Sequence, residues 1–139
     1  VAVLPFENLT ADPTLTQEIN RAVREAVENR LGLRQAGLNQ AHAIVRGTIS
    51  RYEPDVPVGI VSTGRDPGQL GQVTVTRRNV QITVTVIIED QREGRILWER
   101  TGLTVDGEYD TAREQESRGR ERALERLITQ IVEGAQSQW

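Results

Sequence analysis

Residues 80–88 constrain the fold more than any other segment. Val80, Ile82, Val84, Val86 and Ile88 alternate with Gln81, Thr83, Thr85 and Glu89, and only Ile87 breaks the rule. A period of two sends successive side chains to opposite faces of a strand. One face must therefore bury five branched aliphatics while the other stays wet. Val, Ile and Thr are stiff at χ1 and fit a pleated surface, so the polar side is strand-forming too. Such a strand needs neighbours and a layer packed over its apolar side.

Other segments supply the neighbours. In residues 43–52, Ala43, Val45, Gly47 and Ile49 point one way, and Ile44, Arg46, Thr48, Ser50 and Tyr52 the other. Gln91-Arg92-Glu93-Gly94 reads as a hairpin connection and residues 96–105 as the returning strand, with a bulge expected where the phase flips at Gly102. Val73 and Val75 sit in the opposite phase to Val80, which predicts a bulge or turn around Arg77-Arg78-Asn79. Residues 1–6 form a short buried strand and 33–36 a brief one. Residues 54–71 hold three prolines and four glycines. They read as a long flexible loop or an irregular hairpin. A loop beyond ~12–15 residues in a compact domain is usually functional or disordered.

Two amphipathic helices supply the covering layer. Asp12-Pro13-Thr14 opens the first, with Asp12 as N-cap, Pro13 at the first helical position and Thr14/Gln17 as an alternative capping box. Leu15, Ile19, Ala22, Val23, Ala26 and Val27 recur at helical spacing, and Gly32 is placed to end the run. Thr111 and Glu114 fit a capping box for the second helix, whose stripe is Ala123, Leu124, Leu127, Ile128, Ile131, Val132 and Ala135. The expected architecture is an α+β two-layer sandwich. Both helices cover one face of a mostly antiparallel or mixed sheet of four to five strands, in the order β-α-β-β-β-β-α. One domain accounts for all 139 residues.

Composition narrows the function. The net charge of −3 carries no sign of a nucleic-acid footprint. All 17 basic residues are arginine, which reflects a GC-rich genome or a preference for planar binding of phosphate and carboxylate. With no cysteine, disulfides and thiolate chemistry drop out together. No segment is apolar over the ~18–20 residues a membrane helix needs. The chain begins inside the apolar run Val1-Ala2-Val3-Leu4, which implies that upstream residues, with any targeting signal, lie outside this sequence.

Chemistry-bearing motifs are sparse. His42 is the only histidine, and no Gly-x-Ser-x-Gly turn offers it a nucleophile, so it reads as a partly exposed structural residue. Asp106-Gly107-Glu108-Tyr109-Asp110 alternates oxygens like a calcium loop but lacks the sixth-position glycine and closing glutamate. It reads as a solvated turn that sets negative charge near a helix N-terminus. No metal-ligand histidine spacing and no phosphate loop exist. No catalytic residue, cofactor or metal is expected. Arg77-Arg78, with Arg65 before it, is the densest basic feature. It reads as a charged turn that discourages edge pairing, or as a contact for phosphates or an acidic partner.

A family resemblance joins these blocks. The opening Val1-Ala2-Val3-Leu4-Pro5-Phe6-Glu7-Asn8-Leu9-Thr10 precedes a helix ending near Arg30-Leu31. Ala43-Ile44-Val45-Arg46-Gly47-Thr48-Ile49 follows, then Val80-Gln81-Ile82-Thr83-Val84-Thr85-Val86, Gly94-Arg95-Ile96-Leu97-Trp98-Glu99, and Gly102-Leu103-Thr104 with Tyr109 before the last helix. This order resembles the lipopolysaccharide-assembly lipoprotein family LptE over nearly the whole chain. The opening motif is also similar to the amino-terminal domain of TolB and to CsgG-like envelope proteins; the later blocks favour LptE. The resemblance implies a non-enzymatic outer-membrane lipoprotein facing the periplasm, anchored through an amino-terminal lipidated cysteine that this sequence lacks. It implies docking as a plug in the LptD barrel and contact with lipopolysaccharide. Family members meet the glycolipid through basic residues, which nominates Arg65, Arg77 and Arg78.

Overall fold

A computed structural model describes residues 1–62 and 73–137, with side chains outside 59–62 and 73–76. Seven elements follow in order: β1 (Ala2–Val3), β2 (Glu7–Asn8), α1 (Leu15–Asn29), β3 (Ala43–Ser62), β4 (Val73–Asp90), β5 (Arg95–Asp110) and α2 (Glu116–Gln136). They build one mixed sheet in the order β1-β3-β4-β5, with β2 also on β3. β1 and β2 run parallel to β3; β3–β4 and β4–β5 are antiparallel. α1 lies over β1 and β2, α2 over β3 to β5, and the helices touch each other. Both therefore cover one face, as the amphipathic spacing requires.

The apolar rows meet in a single core. Ile82, Val84 and Ile49 are fully buried, as are Leu15, Ile19 and Val23 from α1 and Ala123 and Leu127 from α2. Each fully buried aliphatic contributes about 1.5–3 kcal/mol relative to exposure. Phe6 packs flat on Gly47, where a Cβ would come within 2.5 Å of its ring. Asn20 is the buried polar residue of α1, and its Oδ1 accepts the Phe6 N–H at 3.1 Å. This bond fixes the start of the chain against the helix.

Helix ends depart from the capping reading in part. Asp12 Oδ1 accepts the Thr14 N–H (2.9 Å) and hydroxyl (2.7 Å), so Asp12 caps the approach to α1; the Thr14 side chain makes no cap of its own. Gly32, at φ 65°, turns the chain so that Leu33 N reaches the Val27 carbonyl at 3.0 Å. No Thr111/Glu114 box opens α2, which starts at Glu116. Instead Glu114 Oε1 accepts the Asp110 N–H at 3.1 Å and secures the preceding turn.

Strand boundaries depart further from the sequence expectation. Residues 33–36 are not a strand; they lie beside Val1, with Ala36 N donating to the Val1 carbonyl at 2.8 Å. Residues 106–110, expected as a turn, complete β5, because Val105, Gly107 and Tyr109 continue its buried row. Residues 54–62, expected in the loop, extend β3, with register shifts at 53/56, 57/59 and 59/60 that match the irregular-hairpin alternative. β2 ends opposite Ile49, so Pro54 and Pro57 lie where β3 has no neighbour on that side and a missing N–H costs no ladder bond. The remainder of the 54–71 segment lies outside the described residues. On β5, Thr101 and Gly102 together oppose Thr85 alone between the pairs Val84–Leu103 and Val86–Arg100, and Gly102 (φ 66°) sits in that bulge with its N–H 3.3 Å from Thr85 Oγ1.

Candidate functional site

The sheet face away from the helices is open and mostly polar, with Ile44, Ile87 and Ile96 its apolar members towards the β4–β5 turn. Strand alternation places Arg46, Thr48 and Ser50 of β3, Gln81, Thr83 and Thr85 of β4, and Glu99, Thr101 and Thr104 of β5 on it. Thr83 pairs with Thr104 across the strands, and their hydroxyls lie 2.9 Å apart. Ser50 Oγ donates to the Thr83 carbonyl at 3.1 Å, and Arg46 Nε lies 3.3 Å from Glu89. These bonds hold the surface side chains already ordered. Asp106 joins the same face opposite Gln81, and its Oδ1 is buried without a hydrogen-bond partner. A buried acceptor left unpaired is unfavourable.

Of the nominated arginines, Arg77 and Arg78 stand towards one end of the sheet. Arg77 and Arg78 are consecutive on β4, so they point to opposite sides of the sheet and do not form one forked cluster. Arg77 is 67 % exposed at its side chain and pairs with Glu108 at 3.4 Å. Arg78 pairs with Asp55, and beside it the Tyr109 hydroxyl donates to the Pro54 carbonyl at 2.9 Å. Arg65 lies outside the described residues. Arg77 also lines a hollow of about 410 Å³ with Arg122 and Arg126 of α2, balanced by Glu108, Asp110 and Glu114. Arg122 grips Glu114 with two bonds of 3.1 and 2.8 Å, which raises its own pKa and, with the Asp110 N–H, holds the Glu114 carboxyl below its usual range. Arg122 and Arg126 also donate to the Glu108 and Asp106 carbonyls, at 2.6 and 2.8 Å. These bonds cover the free edge of β5 with charge.

One polar centre was missed in the sequence. Arg120 of α2 bonds Asp12 (2.9 Å), Glu18 (3.0 Å), Glu116 (3.2 Å), Thr14 Oγ1 (3.1 Å) and Tyr52 Oη (3.0 Å), and its guanidinium lies 5.1 Å from the Tyr52 ring centroid. The only signal in the chain was the Glu116/Arg120 spacing of four. Its other partners come from α1 and β3, which no local pattern can join. Burial raises the Tyr52 pKa, and the hydrogen bond to Glu116 raises it further. Asp12 is held below its ordinary value, first by the Thr14 hydroxyl and then, in part, by Arg120.

His42 lies on the surface just before β3, with Nε2 against Arg92 Nη2 rather than a nucleophile. Among the described residues no three histidines or carboxylates gather to hold a metal, and no helix is long and apolar enough to cross a membrane.

The model of the LptE family, described as lipopolysaccharide-assembly, matches residues 1–135. This chain belongs to the LptE family. Membership gives it a role in lipopolysaccharide assembly or as an outer-membrane lipoprotein, within a family that is not enzymatic. Solved structures share the fold. A minor lipoprotein from Acinetobacter baumannii is 21 % identical, with 98 % of this chain and 91 % of that one covered and a TM-score of 0.56. PelC from Paraburkholderia phytofirmans, solved as a dodecamer, is 18 % identical over 96 % and 85 %, TM-score 0.55. A hypothetical protein from Chlamydia trachomatis is 9 % identical over 98 % and 97 %, TM-score 0.58. No curated protein matches the chain.

Proposed function

We propose that this chain is a lipid-anchored partner of an LptD-like β-barrel at the periplasmic side of the outer membrane. It plugs and supports that barrel and assists lipopolysaccharide insertion into the outer leaflet. Family membership supports the assignment. The observation that carries the plug reading is the open sheet face, polar, hydrogen-bonded and uncovered by either helix. Large barrels have polar interiors, and a pre-ordered Thr/Ser/Arg surface meets such a wall without burying unpaired groups.

The test is co-expression with the barrel protein of the same source. A stable co-purifying complex is expected, and Thr83→Arg/Thr104→Glu, which sets opposite charges across the strands, should abolish it while the free domain stays folded. Separate elution of the unaltered proteins overturns the reading. Arg65, Arg77 and Arg78 are the proposed contacts to lipid A phosphates. Replacing all three with Ala should weaken glycolipid binding and leave the fold intact; unchanged affinity removes them from the site.

A further inference from the structure

A second cavity opens at the other end of the sheet. Arg78 lies within β4 and Asp90 ends it, and twelve residues of strand place them about 40 Å apart. The cavity is about 700 Å³, within the ordinary range for small-molecule sites. One wall is the segment after α1, held to the sheet where Val1 N donates to the Arg34 carbonyl (2.9 Å) and Ala36 N to the Val1 carbonyl (2.8 Å). The other is the β4–β5 turn, tied by Gln91 N to the His42 carbonyl at 2.9 Å. Leu33, Ala41, Ala43 and Leu97 line it, with Arg34, His42 and Arg92 beside them.

The charges at this mouth are unequally satisfied. Asp90 Oδ1 is occupied by the Arg92 and Glu93 N–H groups (2.9 and 3.2 Å), and Glu93 pairs with Arg95 at 3.2 Å. Arg92 turns away from both acids and rests on His42, which adds no negative charge. Among the described residues neither Arg92 nor Arg34 has a carboxylate partner. These two guanidiniums make no ion pair among the described residues, while the two acids of the lining, Asp90 and Glu93, are held by backbone N–H groups and by Arg95; over the aliphatic lining the guanidiniums favour a ligand with a planar anionic head and an apolar tail.

We propose that this cavity binds an anionic amphiphile, a carboxylate or phosphate carried on a short aliphatic chain. The head lies between Arg92 and Arg34, displacing the Arg92–His42 contact, and the tail lies on Leu33 and Leu97. The site is remote from Arg77 and Arg78 and stands whether or not the barrel reading does.

The test uses amide NMR of the folded domain titrated with octanoate, octyl phosphate and octanol. Octanoate and octyl phosphate should shift residues 33–43 and 90–97. Octanol should bind at least about tenfold more weakly, since it lacks the charge that the arginines recognise. Arg92→Ala and Arg34→Ala, both on exposed side chains, should each weaken octanoate by about five- to tenfold with the spectrum elsewhere unchanged. No shift at millimolar octanoate overturns the proposal, as does equal binding of octanol or indifference to both variants. Vesicle arms identify the source. Arg92-dependent capture by phosphatidylglycerol but not phosphatidylcholine vesicles assigns a lipid headgroup, whereas binding of octanoate from water without vesicle capture assigns a free amphiphile.

Discussion

Gly107 of β5 and Gly119 of α2 meet backbone to backbone, so that a Cβ built on Gly107 would fall on the Gly119 carbonyl oxygen. A Cβ on Gly119 would lie 2.6 Å from Tyr109 Cδ1 and 2.9 Å from the Gly107 carbonyl oxygen. Neither glycine has a positive φ; both are needed for closeness. Gly107→Ala should therefore lower stability by at least about 2–3 kcal/mol, because backbone rather than a side-chain tip must move. Gly37→Ala, with nothing within 4 Å, should stay within about 0.5 kcal/mol. Urea midpoints of the two variants decide the matter, and equal midpoints would deny the close crossing.

Arg120→Ala should destabilise by about 1.5–3 kcal/mol, since it leaves Asp12, Glu18 and Glu116 together without their shared cation. Arg120 is 17 % exposed at its side chain, whereas Arg46, 49 % exposed, has a single carboxylate partner. Arg46→Ala should change stability by less than about 1 kcal/mol. Thermal melts at low and high salt separate the two: screening should erase the Arg46 effect and leave most of the Arg120 effect.

Stability should fall at both extremes of pH. Asp12 and Glu114 have folded pKa values below their ordinary 3.8 and 4.5. Their contribution is present above those values and is lost as pH drops through the lower folded ones. Tyr52 and Tyr109 are raised above 10.0, first by burial. Their contribution is complete below 10 and lost as pH climbs past it. Denaturant midpoints across the pH range should show a plateau between these limits. Tyrosinate absorbance should rise later in the folded protein than in urea, and coincident titrations would contradict the burial of both phenols.

The two faces of β4 should respond oppositely to truncation. Ile82→Ala should cost about 2–5 kcal/mol, because Ile82 is fully buried and leaves a cavity. Thr83→Ala removes only a surface hydroxyl pair with Thr104 and should cost under about 1 kcal/mol. Comparable losses at the two positions, read by denaturant unfolding, would mean that the face bearing Thr83 is not open.

Periodicity alone determined which side chains enter the core. The row Val80 to Ile88, the stripe from Leu15 to Val27 and the stripe from Ala123 to Ala135 are local patterns, and burial of apolar area is sufficient to orient each element. The bulge at Gly102 was legible for the same reason, since a phase flip shows in adjacent residues. Only the tertiary structure decided that 106–110 is strand, because its glycine is there to admit α2 rather than to turn the chain. It also decided that 54–62 pairs in spite of two prolines, because β2 stops short and leaves no bond for them to break. Arg120 joins Asp12, Glu18 and Tyr52 across more than sixty residues of sequence, and Arg34 and Arg92 come to line one cavity only through the closing of the sheet's end. Polar partners act at hydrogen-bond range, so their identity depends on which elements come together, and no spacing along the chain encodes it.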